Sequence, residues 1–133
     1  EMEINPKELI SFKNKIKAND VKIFADIQVK YAKLLEKGKT VKQSVAQAVK
    51  AGADGVIVTG KISGQAPDLD DLQEANSSSG NIPVYVGSGF SVDNADKLLK
   101  FCSGAIVGTS IKKNGMVNLV KIKKLIKVVK NYD

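Results

Sequence analysis

The chain has 133 residues, 43% of them apolar, and a formal net charge of +7. This length allows one domain with a real core, and no apolar run approaches the length of a membrane span. We therefore expect a soluble protein without a transmembrane segment. Histidine is absent and every basic residue is a lysine. Histidine-based metal sites and Ser-His-Asp triads are thereby excluded, and specific nucleic-acid recognition lacks its usual arginine forks.

The single cysteine, Cys102, has no partner for a disulfide within the chain and no histidine to activate it as a nucleophile. We see no signal-peptide pattern, so a cytoplasmic location is expected. The chain begins at Glu1 rather than at Met, which is typical of a processed chain or a fragment. We expect neither a metal nor a cofactor.

Hydrophobic periodicity predicts helices and strands in alternation along the whole chain. The first helix is predicted at residues 6–18, where Asn5 can act as the cap and Pro6 lies in the first turn. The first strand is predicted at residues 21–29, with one aliphatic face and one face that becomes polar toward its carboxyl end. The later elements are a helix at 40–51, a strand at 55–59, a helix at 68–75, a strand at 84–86, a helix at 91–101, a strand at 105–107 and a helix at 118–130.

Such alternation with short connections predicts an α/β fold with a parallel sheet and right-handed crossovers. Four βα units in this chain give about 33 residues per unit, close to the roughly 31 of an eight-unit barrel of about 250 residues. We therefore predict half of a (β/α)8 TIM barrel. Such a half leaves open strand edges, so we expect a missing half, then a homo-oligomer that closes the barrel, and last an open sheet with helices on both faces.

Two strands near the end of the chain run directly into glycine turns, Gly87-Ser88-Gly89 and Gly108-Thr109-Ser110. Either turn alone is more often only a tight turn than a ligand site. Together they match the loops after strands seven and eight of a TIM barrel, where backbone N–H groups and hydroxyls bind phosphate. The predicted phosphate-binding residues are Ser88, Gly89, Phe90, Gly108, Thr109 and Ser110.

Four motifs resemble the carboxyl-terminal half of the BtpA/SgcQ family. They are FADIQVKYAKLL at 24–35, GADGVIVTGKISG at 52–64, VYVGSGFSVDN at 84–94 and GAIVGTSIKKNG at 104–115. The resemblance implies a ribulose-phosphate-binding type of TIM barrel, in which residues 1–133 are βα units five to eight and the amino-terminal half is missing. The family is named for a factor needed for photosystem I biogenesis in cyanobacteria. One departure is that its Val-Lys-His pattern is replaced here by Val29-Lys30-Tyr31.

Polar residues at the predicted strand ends are the candidates for chemistry. Asp26 and Lys30 share the polar face of the first strand, and a lysine at a barrel mouth can neutralise a phosphate or act as a base. We name these two as catalytic candidates, although an ordinary Asp-Lys pair inside the barrel is an equal alternative. The predicted ligand-binding residues are Thr59, Lys61, Ser63 and Asn94, the last of which could equally be a plain helix residue.

Two classes of function follow. In the first, the protein is an enzyme that binds a phosphorylated small molecule, such as a sugar phosphate or a nucleotide, at the loops after the last two strands. In the second, which the family name implies, it is a non-catalytic assembly or stability factor. Polar glycine loops at every strand end favour the first class, because an assembly surface does not need them. Non-specific polynucleotide binding through lysine is the least favoured alternative.

Overall fold

The computed structural model describes residues 5–27, 38–62 and 64–132. Its main sheet has four strands, β1 Phe24–Ile27, β2 Gly55–Val58, β3 Val84–Val86 and β4 Gly104–Ala105. The α-helices of the described residues are α1 Pro6–Lys15, α2 Val41–Lys50, α3 Leu69–Ser78, α4 Ala95–Leu98 and α5 Leu119–Val129. Short 3-10 turns follow at Leu99–Phe101, Thr109–Ile111 and Lys130–Tyr132, and a small antiparallel hairpin is formed by β5 Lys112–Lys113 and β6 Met116–Val117.

The four strands pair in parallel and in the order in which they follow one another in the chain. A doubly wound sheet reverses its strand order at a switch point, whereas a barrel adds each new strand beside the previous one. The consecutive strand order is therefore that of a barrel. The helices that lie between these strands in the chain confirm the predicted alternation.

Local sequence explains where the longer helices begin. Asn5 accepts a hydrogen bond from the Lys7 N–H before α1, and Pro6 occupies its first position. Thr40 and Gln43 form a reciprocal capping box before α2. These caps satisfy N–H groups that have no partner inside the helix, so they fix the helix starts near the predicted ones. No helix in the described ranges is long and apolar enough to cross a membrane.

One face of the sheet packs against helices and forms the core. The side chains that alternate onto this face are almost fully buried, and α2, α3 and α5 cover them with buried residues of their own. The core residues on the strands are Ile27, Val56, Val58, Val84 and Val86, and those on the three helices are Val41, Val45, Leu72, Ala75 and Leu125.

Among residues 5–27, 38–62 and 64–132, no helix covers the opposite face, which we call the inner face, in this way. Phe24 and Ile106 remain 42% and 53% exposed there. The rings of Phe24 and Tyr85 meet edge to face at 5.3 Å, although they belong to strands that are not neighbours. They meet over Gly55, where a Cβ would lie only 2.5 Å from the Phe24 ring. This is the face that points into the interior of a closed barrel.

Two sequence predictions are wrong in detail. The single helix predicted at 91–101 is instead a turn followed by the one-turn helix α4 and a 3-10 turn, because Asn94 bonds back to the preceding loop. Strand bounds differ as well, since the fourth strand is Gly104–Ala105 rather than 105–107 and the first begins at Phe24 rather than at residue 21. The hairpin of β5 and β6 was not predicted, although Asn114 and Gly115 with positive φ provide its turn.

Candidate functional site

Three loops leave the sheet at the carboxyl ends of β2, β3 and β4, and we call them the β2 loop (59–68), the β3 loop (87–94) and the β4 loop (106–110). The β3 and β4 loops lie side by side, as expected from the sequence. The Ile106 N–H donates to the Val86 carbonyl at 2.8 Å, which extends the ladder beyond the assigned strands. Further out, the Ser110 hydroxyl donates to the Phe90 carbonyl at 2.6 Å. The two glycine turns therefore form one continuous surface.

Ser88 joins the β3 loop to the β2 loop. Its hydroxyl donates to the Gln65 carbonyl at 2.7 Å and accepts from the Gly60 N–H at 3.0 Å. A serine hydroxyl carries a single proton. Because the Gln65 carbonyl receives that proton, the Ser88 side chain holds the two loops together and has none left for a bound anion.

Gly89 permits the same two loops to touch. Its φ of +68° lies in the left-handed region, and a Cβ at this position would overlap the backbone nitrogen of Ala66. Only glycine combines this backbone conformation with so close an approach. The glycine that suggested a phosphate turn is therefore also required by a contact between two protein loops. The sequence did not predict this contact with Gln65 and Ala66, although the third glycine-bearing loop was a signal for it.

Asn94 shapes the outer part of the β3 loop. Its Oδ1 accepts from the Ser91 N–H and its Nδ2 donates to the Gly89 carbonyl, both at 2.8 Å. No side-chain hydrogen bond from Asn94 caps α4. Like Ser88 and Ser110, this side chain bonds to loop backbone, so its predicted contact with a ligand stays a prediction.

The β4 loop is more open than the β3 loop. A Cβ on Gly108 would meet nothing within 4 Å, and Thr109 is exposed. A Cβ on Gly64 would lie 3.9 Å from Thr109 Oγ1, so the β2 loop passes over the β3 loop and reaches the β4 loop. Within the described ranges, the backbone N–H groups of this surface that have no hydrogen-bond acceptor include those of Ser88, Gly89, Phe90, Gly108, Thr109 and Ser110.

Asp26 and Thr59 lie on the inner face, below these loops. Asp26 is in register with Ile57, which pairs in turn with Tyr85. Thr59 follows the last residue of β2, and its Oγ1 is buried without a hydrogen-bond partner in the described part of the chain. Lys30 and Ser63, also predicted as site residues, lie outside the described residues.

Lys61 turns toward the start of α3. Its Nζ lies 3.0 Å from Asp68 Oδ2, and both side chains are mostly exposed. The hydrogen bond and charge of Asp68 raise the pKa of Lys61. Nearby, burial and the charge of Asp68 raise the pKa of Asp71. Lys61 therefore stays protonated at neutral pH, and Asp68 is its neighbour in this conformation.

Metal binding and thiol chemistry find no support in the described ranges. They contain no group of three acidic, cysteine or histidine side chains that could hold a metal ion. Burial raises the pKa of the Cys102 thiol, although the Gly104 N–H partly opposes this. A raised thiol pKa lowers the thiolate population and with it the nucleophilicity.

Comparison with known families identifies the chain's lineage. Residues 2–132 match the sequence profile of the BtpA family. The chain belongs to the BtpA family. It is 35% identical to the photosystem I biogenesis protein BtpA of Synechocystis over 118 residues, which are 88% of this chain and 40% of that protein. It is 37% identical to an uncharacterized protein of Archaeoglobus fulgidus over 81% of this chain and 42% of the relative. The chain thus spans about two fifths of the length of these relatives, and the predicted family is confirmed.

Solved structures with a similar fold confirm the fold class. The phosphoribosyl anthranilate isomerase of Thermococcus kodakaraensis matches 96% of this chain with a TM-score of 0.67 and 14% identity, over 60% of its own chain. The corresponding isomerase of Pyrococcus furiosus matches 95% with a TM-score of 0.63 and 18% identity, over 57% of its chain. These neighbours are TIM-barrel proteins, so the parallel sheet of this member of the BtpA family is part of a TIM barrel.

Proposed function

We propose that this BtpA-family chain binds a phosphorylated small molecule, a sugar phosphate or a nucleotide, and belongs to an enzyme that acts on it. The observation that carries this proposal is the pairing of the β3 and β4 loops. They lie side by side at the carboxyl ends of neighbouring strands, joined by Ser110 and Phe90, with backbone N–H groups that have no acceptor among the described residues. Such groups are the usual donors to phosphate oxygens.

The side-chain hydrogen bonds refine which groups contact the phosphate. Ser88 and Ser110 each donate their single proton to a loop carbonyl, so neither hydroxyl can also donate to a phosphate in this conformation. Thr109 has an exposed hydroxyl on the open β4 loop. The proposed phosphate contacts are therefore the N–H groups near Gly89 and Thr109 together with the Thr109 hydroxyl.

The names of the structural neighbours support the ligand class. Two of them are isomerases of a phosphoribosyl compound, and a third is the thiamine phosphate pyrophosphorylase of Pyrococcus furiosus, which matches with a TM-score of 0.56. The likeness is one of fold, and the loops of this chain supply the chemical argument. A barrel that binds phosphate at the loops after its last two strands agrees with the fold likeness and with the loops of this chain.

The reactive part of the ligand would extend from the phosphate over the inner face. There Asp26 is a candidate acid or base, and Lys30 is a candidate to neutralise or activate the substrate. Thr59, Lys61 and Ser63 would border the same space from the β2 loop. Rotation of Lys61 away from Asp68 would cost little, because both side chains are mostly exposed.

We further propose that the remaining βα units of the barrel precede this chain in the functional protein. The uncovered inner face and the open edges of β1 and β4 need another half barrel, and the relatives are longer than this chain. A second copy of the chain is the alternative occupant of the same surface. In either arrangement the phosphate loops come from this chain.

We also propose that the protein is located in the cytoplasm.

A non-catalytic assembly or stability factor is the second candidate function. The observation that favours it is the name of the Synechocystis relative, a photosystem I biogenesis protein. Such a factor could keep the barrel without using the paired loops. It would therefore bind phosphorylated compounds no better than their unphosphorylated counterparts.

Calorimetric titration of the chain with ribose 5-phosphate, inorganic phosphate and ribose tests the proposal. We expect both phosphate compounds to bind and ribose not to bind. Thr109→Ala should weaken binding about tenfold, since a hydrogen bond to a charged group contributes roughly 1.5 to 3 kcal/mol. Ser103→Ala, an exposed serine before β4, is the matched control and should leave binding unchanged. A folded chain that binds none of the phosphate compounds would favour the assembly factor.

A further inference from the structure

We infer that Ser88 is a positioning residue, which fixes the β2 loop over the β3 loop so that the β2 loop forms a third wall of the phosphate site. This inference rests on the proposed function, because it concerns the same site. It changes the role of Ser88 from a ligand contact to a connection between two loops. It also adds the Gly64–Ala66 part of the β2 loop to the site.

The hydroxyl of Ser88 has one proton, and that proton is already used in a hydrogen bond to protein. Phosphate at neutral pH is mainly a hydrogen-bond acceptor, so a serine that contacts it must donate its one hydroxyl proton. The Ser88 hydroxyl donates instead to the Gln65 carbonyl, 23 residues away in sequence, and accepts from the Gly60 N–H, 28 residues away. Both of these hydrogen bonds serve the contact between the loops.

Beyond its contact with Ser88, the β2 loop continues toward the β4 loop. The backbone of Ala66 lies against Gly89 so closely that no Cβ fits there. Gly64 then approaches Thr109 of the β4 loop. The loop therefore extends from β2 across the β3 loop to the open part of the site. A ligand held at Thr109 would lie beside Gly64.

Two polar contacts hold the β2 loop in place, and they differ in strength. Lys61 and Asp68 form an exposed ion pair near its two ends, which contributes little to stability. The Ser88 hydroxyl, by contrast, is in a half-buried residue and bonds to two points of the loop. Loss of this hydroxyl should free the segment from Gly60 to Ala66 while the four strands stay folded.

Hydrogen exchange and ligand titration of the same variants test the inference. In Ser88→Ala we expect the Gly60 amide to exchange about fivefold faster, because a net hydrogen bond of roughly 1 kcal/mol is lost. We expect ribose 5-phosphate to bind several-fold more weakly in the same variant. Ser77→Ala is the matched control, since that hydroxyl donates only to a carbonyl of its own helix, that of Glu74. It should change neither measurement.

Gly64→Ala provides a second variant that leaves Ser88 intact. Its φ of +81° strains any side chain, although a Cβ there would make only an ordinary contact of 3.9 Å with Thr109 Oγ1. The substitution should therefore shift the β2 loop and weaken ribose 5-phosphate binding, with the Gly60 amide still protected by Ser88. It keeps the inference testable if Ser88→Ala does not fold.

Three results would overturn the inference, and they are distinguishable. Weaker binding in Ser88→Ala without faster exchange at Gly60 would mean that Ser88 contacts the phosphate directly. Faster exchange at Gly60 with unchanged binding, in a wild type that does bind, would mean that the β2 loop is no wall of the site. No binding by the wild-type chain would overturn the proposed function itself, before any variant is compared.

Discussion

The two faces of the four-stranded sheet are made by the same strands, yet helices of the described residues cover only one of them. On the helix-facing side, Val56 and Val86 are completely buried. On the inner side, Phe24 of β1 and Ile106, directly after β4, are about half exposed. Strands of a barrel are buried on both faces. The described part of the chain therefore supplies a helical layer for one face, which is the basis of our proposal that further protein covers the inner face.

Truncating one buried and one exposed aliphatic residue should give the largest difference between the faces. Leu72→Ala, in a fully buried residue of α3, should lower the free energy of unfolding by about 2 to 5 kcal/mol, because it removes buried methyl groups and leaves a cavity. Ile106→Ala on the inner face should lower it by less than about 1 kcal/mol. Urea unfolding of both variants measures this. Equal losses would show that the inner face is covered in solution.

The glycine loops show the same contrast between covered and open surface. Gly89→Ala should cost at least about 2 kcal/mol, because it adds left-handed strain and an overlap with the Ala66 backbone. Gly108→Ala should cost less than Gly89→Ala, since a Cβ there meets nothing within 4 Å and its φ of −131° is not left-handed. Thermal unfolding of the two variants checks the difference. A tolerant Gly89 would contradict the close contact between the β2 and β3 loops.

The uncovered inner face should make the isolated chain self-associate. Ile106→Glu should weaken that association about tenfold or more, since burial of an isoleucine side chain contributes roughly 1.5 to 3 kcal/mol. Ile62→Glu, at an equally exposed residue of the β2 loop, is the control. Sedimentation equilibrium measures both. A strictly monomeric wild-type chain would argue that only the preceding βα units can occupy this face.

Charge at the barrel mouth should affect binding rather than folding. Lys30→Ala is expected to weaken ribose 5-phosphate binding several-fold with little change in unfolding temperature, because Lys30 is predicted to point into the mouth. Lys123→Ala removes an exposed lysine of α5 and should change neither quantity. Titration and thermal unfolding measure the two effects. Equal, small changes in affinity would identify Lys30 as ordinary surface charge.

The smallest expected effect is a pH dependence at the amino-terminal end of the sheet. A hydrogen bond from the Ile23 N–H, together with one from Lys22, lowers the pKa of Asp54 below its ordinary value of 3.8. A lowered pKa in the folded state stabilises the fold above the unfolded pKa, and this is lost as pH falls through the folded pKa. Wild type should therefore exceed Asp54→Asn in unfolding temperature near neutral pH and lose that advantage below pH 3.8. A difference in unfolding temperature that persists below pH 3.8 would contradict a stabilising role of the Asp54 charge.

The sequence by itself determined the order of elements, the parallel sheet and the position of the two glycine turns. These follow from local rules. Alternation along a strand marks its two faces, and the caps at Asn5 and Thr40 mark helix starts. Once the sheet is parallel and consecutive, the ends of β3 and β4 must be neighbours. The resemblance of four motifs to the BtpA family added the prediction of which type of barrel this sheet belongs to.

Only the tertiary structure decided what the polar side chains of those turns do. Ser88 and Asn94 have the residue types of a ligand site, but their hydrogen bonds go to loop backbone. The sequence could not show this for Ser88, because its partners Gly60 and Gln65 are more than twenty residues away. Whether a hydroxyl proton is available to a ligand depends on such a non-local approach of two loops. Periodicity and propensity, which describe neighbours in sequence, contain no information about it.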